Sequence, residues 1–276
     1  MNNVVVRSIS GVVFILAMLA CLMFNKFLFA GLIIFIMSVM LLEFYHITMG
    51  NSYTFSKVLA IIAAIFLFGL LFATASYHIP IRFVAFAMVP IFIVMINSLY
   101  VKDKDEYGKF SNIYTGLLYI AVPIALSNLI AFDKAGNFSG NLLLCFFIII
   151  WCSDVGAFAF GISLGKIFPQ KLFPSVSPKK TWIGFIGGLV SSVLAALALY
   201  EFGILKFPLI HCLILSFIMS VTGVYGDLFE SQWKRVYGVK DSGKIIPGHG
   251  GFLDRFDSTL MAMPFGAIYL AIFDLL

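Results

Sequence analysis

Charge is the scarcest property of this sequence: Asp, Glu, Lys and Arg together make up 11% of its 276 residues. Soluble domains carry about a quarter. That deficit excludes a single soluble core as the place where so many apolar side chains are buried, and the chain needs lipid around it. Cysteine is scarce too. Cys21, Cys145, Cys152 and Cys212 lie in apolar runs without paired spacing, which excludes a disulfide framework and a zinc site and leaves buried free thiols. A solvated basic face with interleaved stacking aromatics is missing, since most of the 31 Phe sit inside the apolar runs; nucleic-acid binding is therefore excluded. Internal repeats and low-complexity tracts are absent. Arg7 and the apolar run after it resemble a signal peptide. No small-residue cleavage site follows, and another apolar run begins almost at once, so the expectation is a retained first helix.

What the chain has in abundance is apolar length. Hydrophobic residues make up 62% of it and the mean hydropathy is +1.05. A helical span takes about 20 apolar residues, and nine stretches of that order can be marked: 4–24, 28–45, 57–77, 79–101, 112–132, 140–162, 182–203, 207–228 and 259–275. The fold class expected is an all-α polytopic membrane protein with about nine transmembrane helices. The short connection from His78 to Pro80 predicts antiparallel neighbours on either side of it. With nine spans, Lys26, Arg82, Lys134 and Lys206 fall on one face, and the other fourteen of the 18 Lys and Arg fall on the opposite face. The positive-inside rule makes the richer face cytoplasmic, with the N-terminus inside and the C-terminus outside.

Three connections on that face are strongly polar: 102–111, 163–181 and 231–257. The first is a mixed charge run that reads as a solvated linker. The other two assign the chemistry to the second half of the chain. The expected organisation is an N-terminal membrane bundle over 1–135, serving as scaffold, and a catalytic membrane region over 136–276.

The segment 231–257 is long for a connection without a function, and its interleaved Trp233, Tyr237, Ile245, Ile246 and Phe252 argue against disorder. It holds the cations Lys234, Arg235, Lys240, Lys244 and Arg255, the acids Asp241, Asp254 and Asp257, and the turn series Pro247-Gly248-His249-Gly250-Gly251. Glycines let backbone N–H groups approach phosphate oxygens, and cations neutralise the charge. Asp254 and Asp257, three apart at the start of the last span, share one side of a helical turn. Asp227, at the cytoplasmic end of the eighth span, can face them. Carboxylates completed by phosphate oxygens suit Mg²⁺. The pattern points to metal-assisted phosphoryl chemistry, with Asp227 and Asp254 as the expected metal ligands. A carboxylate inside the sixth span, Asp154, is costly in lipid and points to a site role.

Ser231-x-x-Lys234-Arg235, Lys240-Asp241-Ser242-Gly243 and Pro247-x-His249-Gly250-Gly251-Phe252-x-Asp254-Arg255-Phe256-Asp257 resemble the signature of the phosphatidate cytidylyltransferase family, the CDP-diacylglycerol synthases. The likeness extends to Gly226–Ser231, to Ser177-Pro178-Lys179-Lys180-Thr181-Trp182 and to Asp154–Phe158, where Val155 stands in place of the family's more usual Ser or Thr. It covers the C-terminal 130 or so residues.

The resemblance implies a nucleotidyltransferase that converts CTP and phosphatidate into CDP-diacylglycerol and pyrophosphate. It implies Mg²⁺, with a second ion left open, a bacterial inner-membrane location with the site facing the cytoplasm, and a homodimer. The residues fit that chemistry. A phosphomonoester already carries about −1.5 to −2 near pH 7, so no strong base is needed, and no nucleophile–base pair is offered. The catalytic set expected is Asp227, Lys234, Arg235, Lys240, Asp241, Asp254, Arg255 and Asp257. Substrate binding is expected from Asp154, Ser177, Lys179, Lys180, Thr181, Ser231, Lys244, His249, Gly250 and Gly251. A CTP-dependent lipid kinase is the nearest alternative, and an anionic-solute transporter is the alternative from another class. The transporter predicts repeats and mid-membrane broken helices; the repeats are absent, and the cations cluster at one face.

Overall fold

The computed structural model describes residues 3–101, 107–248 and 250–276, with side chains from Ser10 onward. Lys102, Lys104, His249 and the side chain of Arg7 lie outside the described residues. Nine helical segments among the described residues answer to the nine apolar stretches. They begin with α1 (Asn3–Phe24), α2 (Lys26–Met49) and α3 (Thr54–Tyr77). The fourth starts as a 3₁₀ turn, Ile81–Ala87, and continues as α4 (Met88–Ser98). The fifth runs from α5 (Tyr107–Gly116) through a π-helical turn, Leu117–Ala121, into α6 (Val122–Ala131). Pro123 supplies a reason for that turn: it has no N–H to give the carbonyl four residues back, and the ladder widens around the gap. Then come α7 (Asn141–Leu164), α8 (Trp182–Glu201), α9 (Leu209–Val236) and α10 (Leu253–Ile272).

Seven of these segments among the described residues are long and apolar enough to cross a membrane. The chain is an all-α polytopic membrane protein. One exception to the all-helical expectation is a small antiparallel hairpin, β1 (Lys171–Phe173) and β2 (Ser177–Thr181), inside the connection 163–181.

The chain divides into two compact units. The first comprises Met1–Ser139 with Val239–Arg255, so the polar loop before α10 belongs with the N-terminal helices. Aromatic contacts fill this unit: Phe29 meets Phe68 and Phe138, and Phe72 meets Phe132. Tyr45 is fully buried on α2. Its hydroxyl donates to the Ile113 carbonyl at 3.0 Å, and its ring occupies the space that a side chain at Gly116 would need.

The second unit comprises Gly140–Gly238 with Phe256–Leu276. Its centre is the packing of α7 on α8, where small residues let two backbones approach, as membrane helices require when lipid supplies no hydrophobic drive. A Cβ at Gly184 would meet the Ala157 carbonyl, one at Gly187 the Phe160 ring, and one at Gly188 the Ser153 carbonyl. Ser153 and Ser220 share a 2.8 Å hydroxyl contact that ties α7 to α9. At Gly226 a Cβ would run into the Asp257 carbonyl, so α9 and α10 cross closely there.

Candidate active site

In the second unit, three helices and the hairpin converge on a cavity of about 530 Å³. Its apolar wall includes Phe158, Ile162, Leu172 and Phe185, and its polar lining is Asp154, Lys179, Lys180, Thr181 and Asp227. Each polar group has a local reason to be there. Asp154 sits in the interior of α7 and is exposed toward this space rather than packed. Thr181 ends β2 and caps α8, its hydroxyl accepting from the Gly184 N–H at 3.2 Å. Lys179 and Lys180, on β2 just before this cap, line the cavity. Nζ of Lys180 lies 2.8 Å from Oδ2 of Asp227, while the Ser231 hydroxyl donates to the other Asp227 oxygen at 3.1 Å.

The close crossing at Gly226 brings Asp257 into electrostatic reach of Asp227, Glu230 and Asp154. Asp257 Oδ1 accepts from the Ser258 N–H at 2.7 Å, and the Ser258 hydroxyl contacts Asp154 at 3.4 Å. Carboxylates from α7, α9 and α10 are thus gathered in one neighbourhood. Among the described residues, no three His, Cys, Asp or Glu converge tightly enough to form a closed metal cage.

The boundary of the expected loop 231–257 is corrected at its start. Ser231, Lys234 and Arg235 lie on α9, which runs on to Val236. Glu230 and Lys234 form an i,i+4 ion pair that supports the extra turns beyond the apolar stretch. Arg235 donates from Nε to the Val176 carbonyl at 3.4 Å, linking this helix end to the hairpin that carries Ser177.

In the first unit, the remaining loop is folded around Asp254. Its Oδ2 accepts from the Ser242 N–H at 2.8 Å, the Ser242 hydroxyl at 2.9 Å and the Gly251 N–H at 2.8 Å. Gly250 has φ +83 and closes a turn in which the Ile246 N–H donates to its carbonyl at 3.0 Å; a Cβ there would collide with Asp254. Lys240, Asp241, Lys244 and Arg255 are exposed around this turn. Glu43 of α2, which lies in none of the sequence motifs, meets the same loop: it accepts from the Phe252 N–H at 3.1 Å and the Leu253 N–H at 2.9 Å. The signal for it was available, because a carboxylate near the end of an apolar span is as costly as Asp154. Glu230, 1% exposed and paired with Lys234, is a second carboxylate outside the expected site set. It sits among motif residues but reads as an ordinary helix-end acid.

A sequence model of the cytidylyltransferase family matches residues 5–273, almost the whole chain. This chain belongs to that family. Among curated relatives, the phosphatidate cytidylyltransferase of Bacillus subtilis is 41% identical over 182 residues, covering 65% of this chain and 63% of that protein. Those of Staphylococcus saprophyticus and Staphylococcus aureus are 46% and 47% identical over 124 residues, covering 45% of this chain and 46% of each relative. The matched part therefore spans less than two thirds of the length of each of these relatives. The family match takes in both units, including the N-terminal spans that precede the C-terminal motifs.

Proposed function

We propose that this protein transfers the cytidylyl group of CTP to phosphatidate, giving CDP-diacylglycerol and pyrophosphate. The observation that carries this reading is the amphiphilic cavity of the second unit. Lys179, Lys180, Asp227 and Asp154 stand at its polar end, and Phe158, Ile162 and Phe185 along its apolar wall. That division suits a phosphate joined to hydrocarbon. The names of the relatives supply the substrates, and membership of the family supplies the reaction class.

In the reaction, an oxygen of the lipid phosphate forms a bond to the α-phosphorus of CTP. The bond from that phosphorus to the bridging oxygen breaks, and pyrophosphate leaves with the electron pair. The attacking oxygen is already anionic, so the residues act by position and charge. Lys179 and Lys180 take phosphate oxygens. Lys234 and Arg235, on the last turns of α9, and Lys240, Lys244 and Arg255, around the loop, neutralise further phosphate charge. Thr181 holds the strand that aims the two lysines. Gly250 and Gly251 let the loop backbone turn tightly.

The carboxylate chemistry fits a divalent cation. Asp227, Asp154 and Glu230 all act electrostatically on Asp257, and a pair of carboxylates completed by substrate oxygens and water is the donor set that Mg²⁺ accepts without a closed protein cage. Asp227 and Asp257 would hold it; when bound, it supplies positive charge against the combined anions. Asp254, expected from the sequence as a ligand, has Oδ2 engaged by three donors, and we assign it to the organisation of the loop. The positive-inside count supports an active site facing the cytoplasm of a bacterial cell membrane, and the family resemblance supports a homodimer.

Purified protein in detergent or nanodiscs, given CTP, Mg²⁺ and phosphatidate, should release pyrophosphate and form CDP-lipid in equal amounts. Release of CDP with a phosphorylated lipid would replace this reading with a lipid kinase. No turnover of CTP by well-folded protein would remove it.

A further inference from the structure

Glu43 lies in the second half of α2, a 24-residue membrane helix, and is 6% exposed. A carboxylate buried in such a helix is expensive unless it is satisfied. Glu43 finds its partners in a segment some 200 residues away. Oε1 accepts from the Phe252 N–H at 3.1 Å, and Oε2 from the Leu253 N–H at 2.9 Å. Leu253 is the first residue of α10. Glu43 therefore satisfies N–H groups at the start of α10 from another helix, in the place where a negative charge is favoured by the helix dipole.

Ser242 joins the arrangement. Its hydroxyl lies 3.2 Å from Glu43 Oε2 and 2.9 Å from Asp254 Oδ2. One hydroxyl proton serves one of these acceptors at a time, and the shorter contact assigns it mainly to Asp254. Glu43 is then held chiefly by the two backbone donors, with Ser242 linking it to Asp254. The loop glycines complete the fit, because a Cβ at Gly243 or Gly251 would press on the Glu43 carboxylate.

We propose that Glu43 is a positioning residue that sets the conformation of 240–248 and 250–253, and through it the placement of the loop cations Lys240 and Lys244 on substrate phosphates. This rests on the cytidylyltransferase reading for its kinetic consequence only; the structural claim stands on the hydrogen bonds. Glu43→Gln keeps the shape but sets an amide NH₂ against one of the two backbone donors.

The test measures turnover of CTP with phosphatidate and amide hydrogen exchange on the full-length protein in nanodiscs. Glu43→Gln is expected to lower kcat/KM for CTP by about tenfold to a hundredfold, the range set by losing a hydrogen bond to a buried charge and misplacing the loop. Exchange at Phe252 and Leu253 should rise. Glu43→Asp, which keeps the charge, should recover part of the loss. Glu43→Gln combined with Ser242→Ala should cost less than the product of the two single losses, since both act through one network. Gly243→Ala reaches the same contact from the loop side and decides the matter if Glu43→Gln does not fold. Wild-type turnover and wild-type exchange at Phe252 and Leu253 in whichever of the two variants folds would overturn the proposal, as would strictly multiplicative losses. A wild-type protein that forms no CDP-lipid would remove the cytidylyltransferase reading, and exchange would still decide the role of Glu43.

Discussion

Lys180, on the strand leading into α8, and Asp227, near the end of α9, meet through a 2.8 Å contact between Nζ and Oδ2. Their side chains remain 25% and 32% exposed. An ion pair that wet contributes about 1 kcal/mol or less to stability. Its partners should therefore matter to turnover far more than to folding. Lys180→Ala is expected to lower kcat/KM by about a hundredfold, within the loss seen when one preorganised charge is removed, and to leave the unfolding midpoint nearly unchanged. Pyrophosphate release and a thermal melt on the same preparation check this. A large drop in midpoint with intact specific activity would make the pair structural.

Gly226 sets the distance between α9 and α10 where Asp227 and Asp257 sit. Gly226→Val must push against the Asp257 carbonyl and Met261, neither of which can swing away as a flexible side chain would. Overpacking of this kind costs about 1–3 kcal/mol. The variant should melt earlier and lose most of its activity together. Gly238, where a Cβ would meet nothing, is the control position for added bulk, though its φ of +67 restricts the replacement to Asn.

Thr181 caps α8 through Gly184. Thr181→Ala should cost about 1 kcal/mol of stability and, by loosening the end of β2, raise KM for the phosphate-bearing substrate more than it lowers kcat. Thr181→Ser retains the hydroxyl and should behave as wild type. Equal effects from both substitutions would show that the methyl group, rather than the cap, is what counts.

The turn after α6 contains a pH-dependent feature away from the site. Asp133 accepts hydrogen bonds from the Asn137 N–H and side chain and from the Ala135 N–H, and these hold its carboxyl below the ordinary value of 3.8. A lowered folded-state pKa contributes stability that is present above the unfolded value and fades as pH falls through the folded one. Melting of the wild type should lose this contribution only below about pH 4, and Asp133→Asn should flatten that part of the profile. A change confined to the neutral range would contradict the assignment.

The topology has its own check. A single cysteine at Lys240, in a background lacking the four native cysteines, should react with a membrane-impermeant maleimide only after the cytoplasmic face is opened. A cysteine at Lys134 should react in intact cells. The reverse pattern would invert the orientation inferred from the Lys and Arg count.

Apolar length and charge scarcity determined the architecture, because in lipid every backbone polar group must be satisfied within its own helix and few folds meet that condition. All nine stretches correspond to helical segments among the described residues. The sequence also marked out one polar segment, since cations, glycines and acids crowd 231–257 where topology alone would not require them. Other features depended on contacts far apart in sequence. The hairpin at 171–181 is three residues paired with five, too short to leave a periodic pattern. The overrun of α9 through Lys234 depends on a side-chain pair rather than on hydropathy. The hydrogen-bond partners of Asp254 and Glu43 are visible only in three dimensions. Asp254 lies in the motif, yet its Oδ2 is occupied by loop donors. Glu43 lies in an apolar span with no motif around it, yet it holds the start of α10 from 210 residues away. A hydrogen bond records which groups the fold has brought together, and the identity of either residue alone does not contain that information.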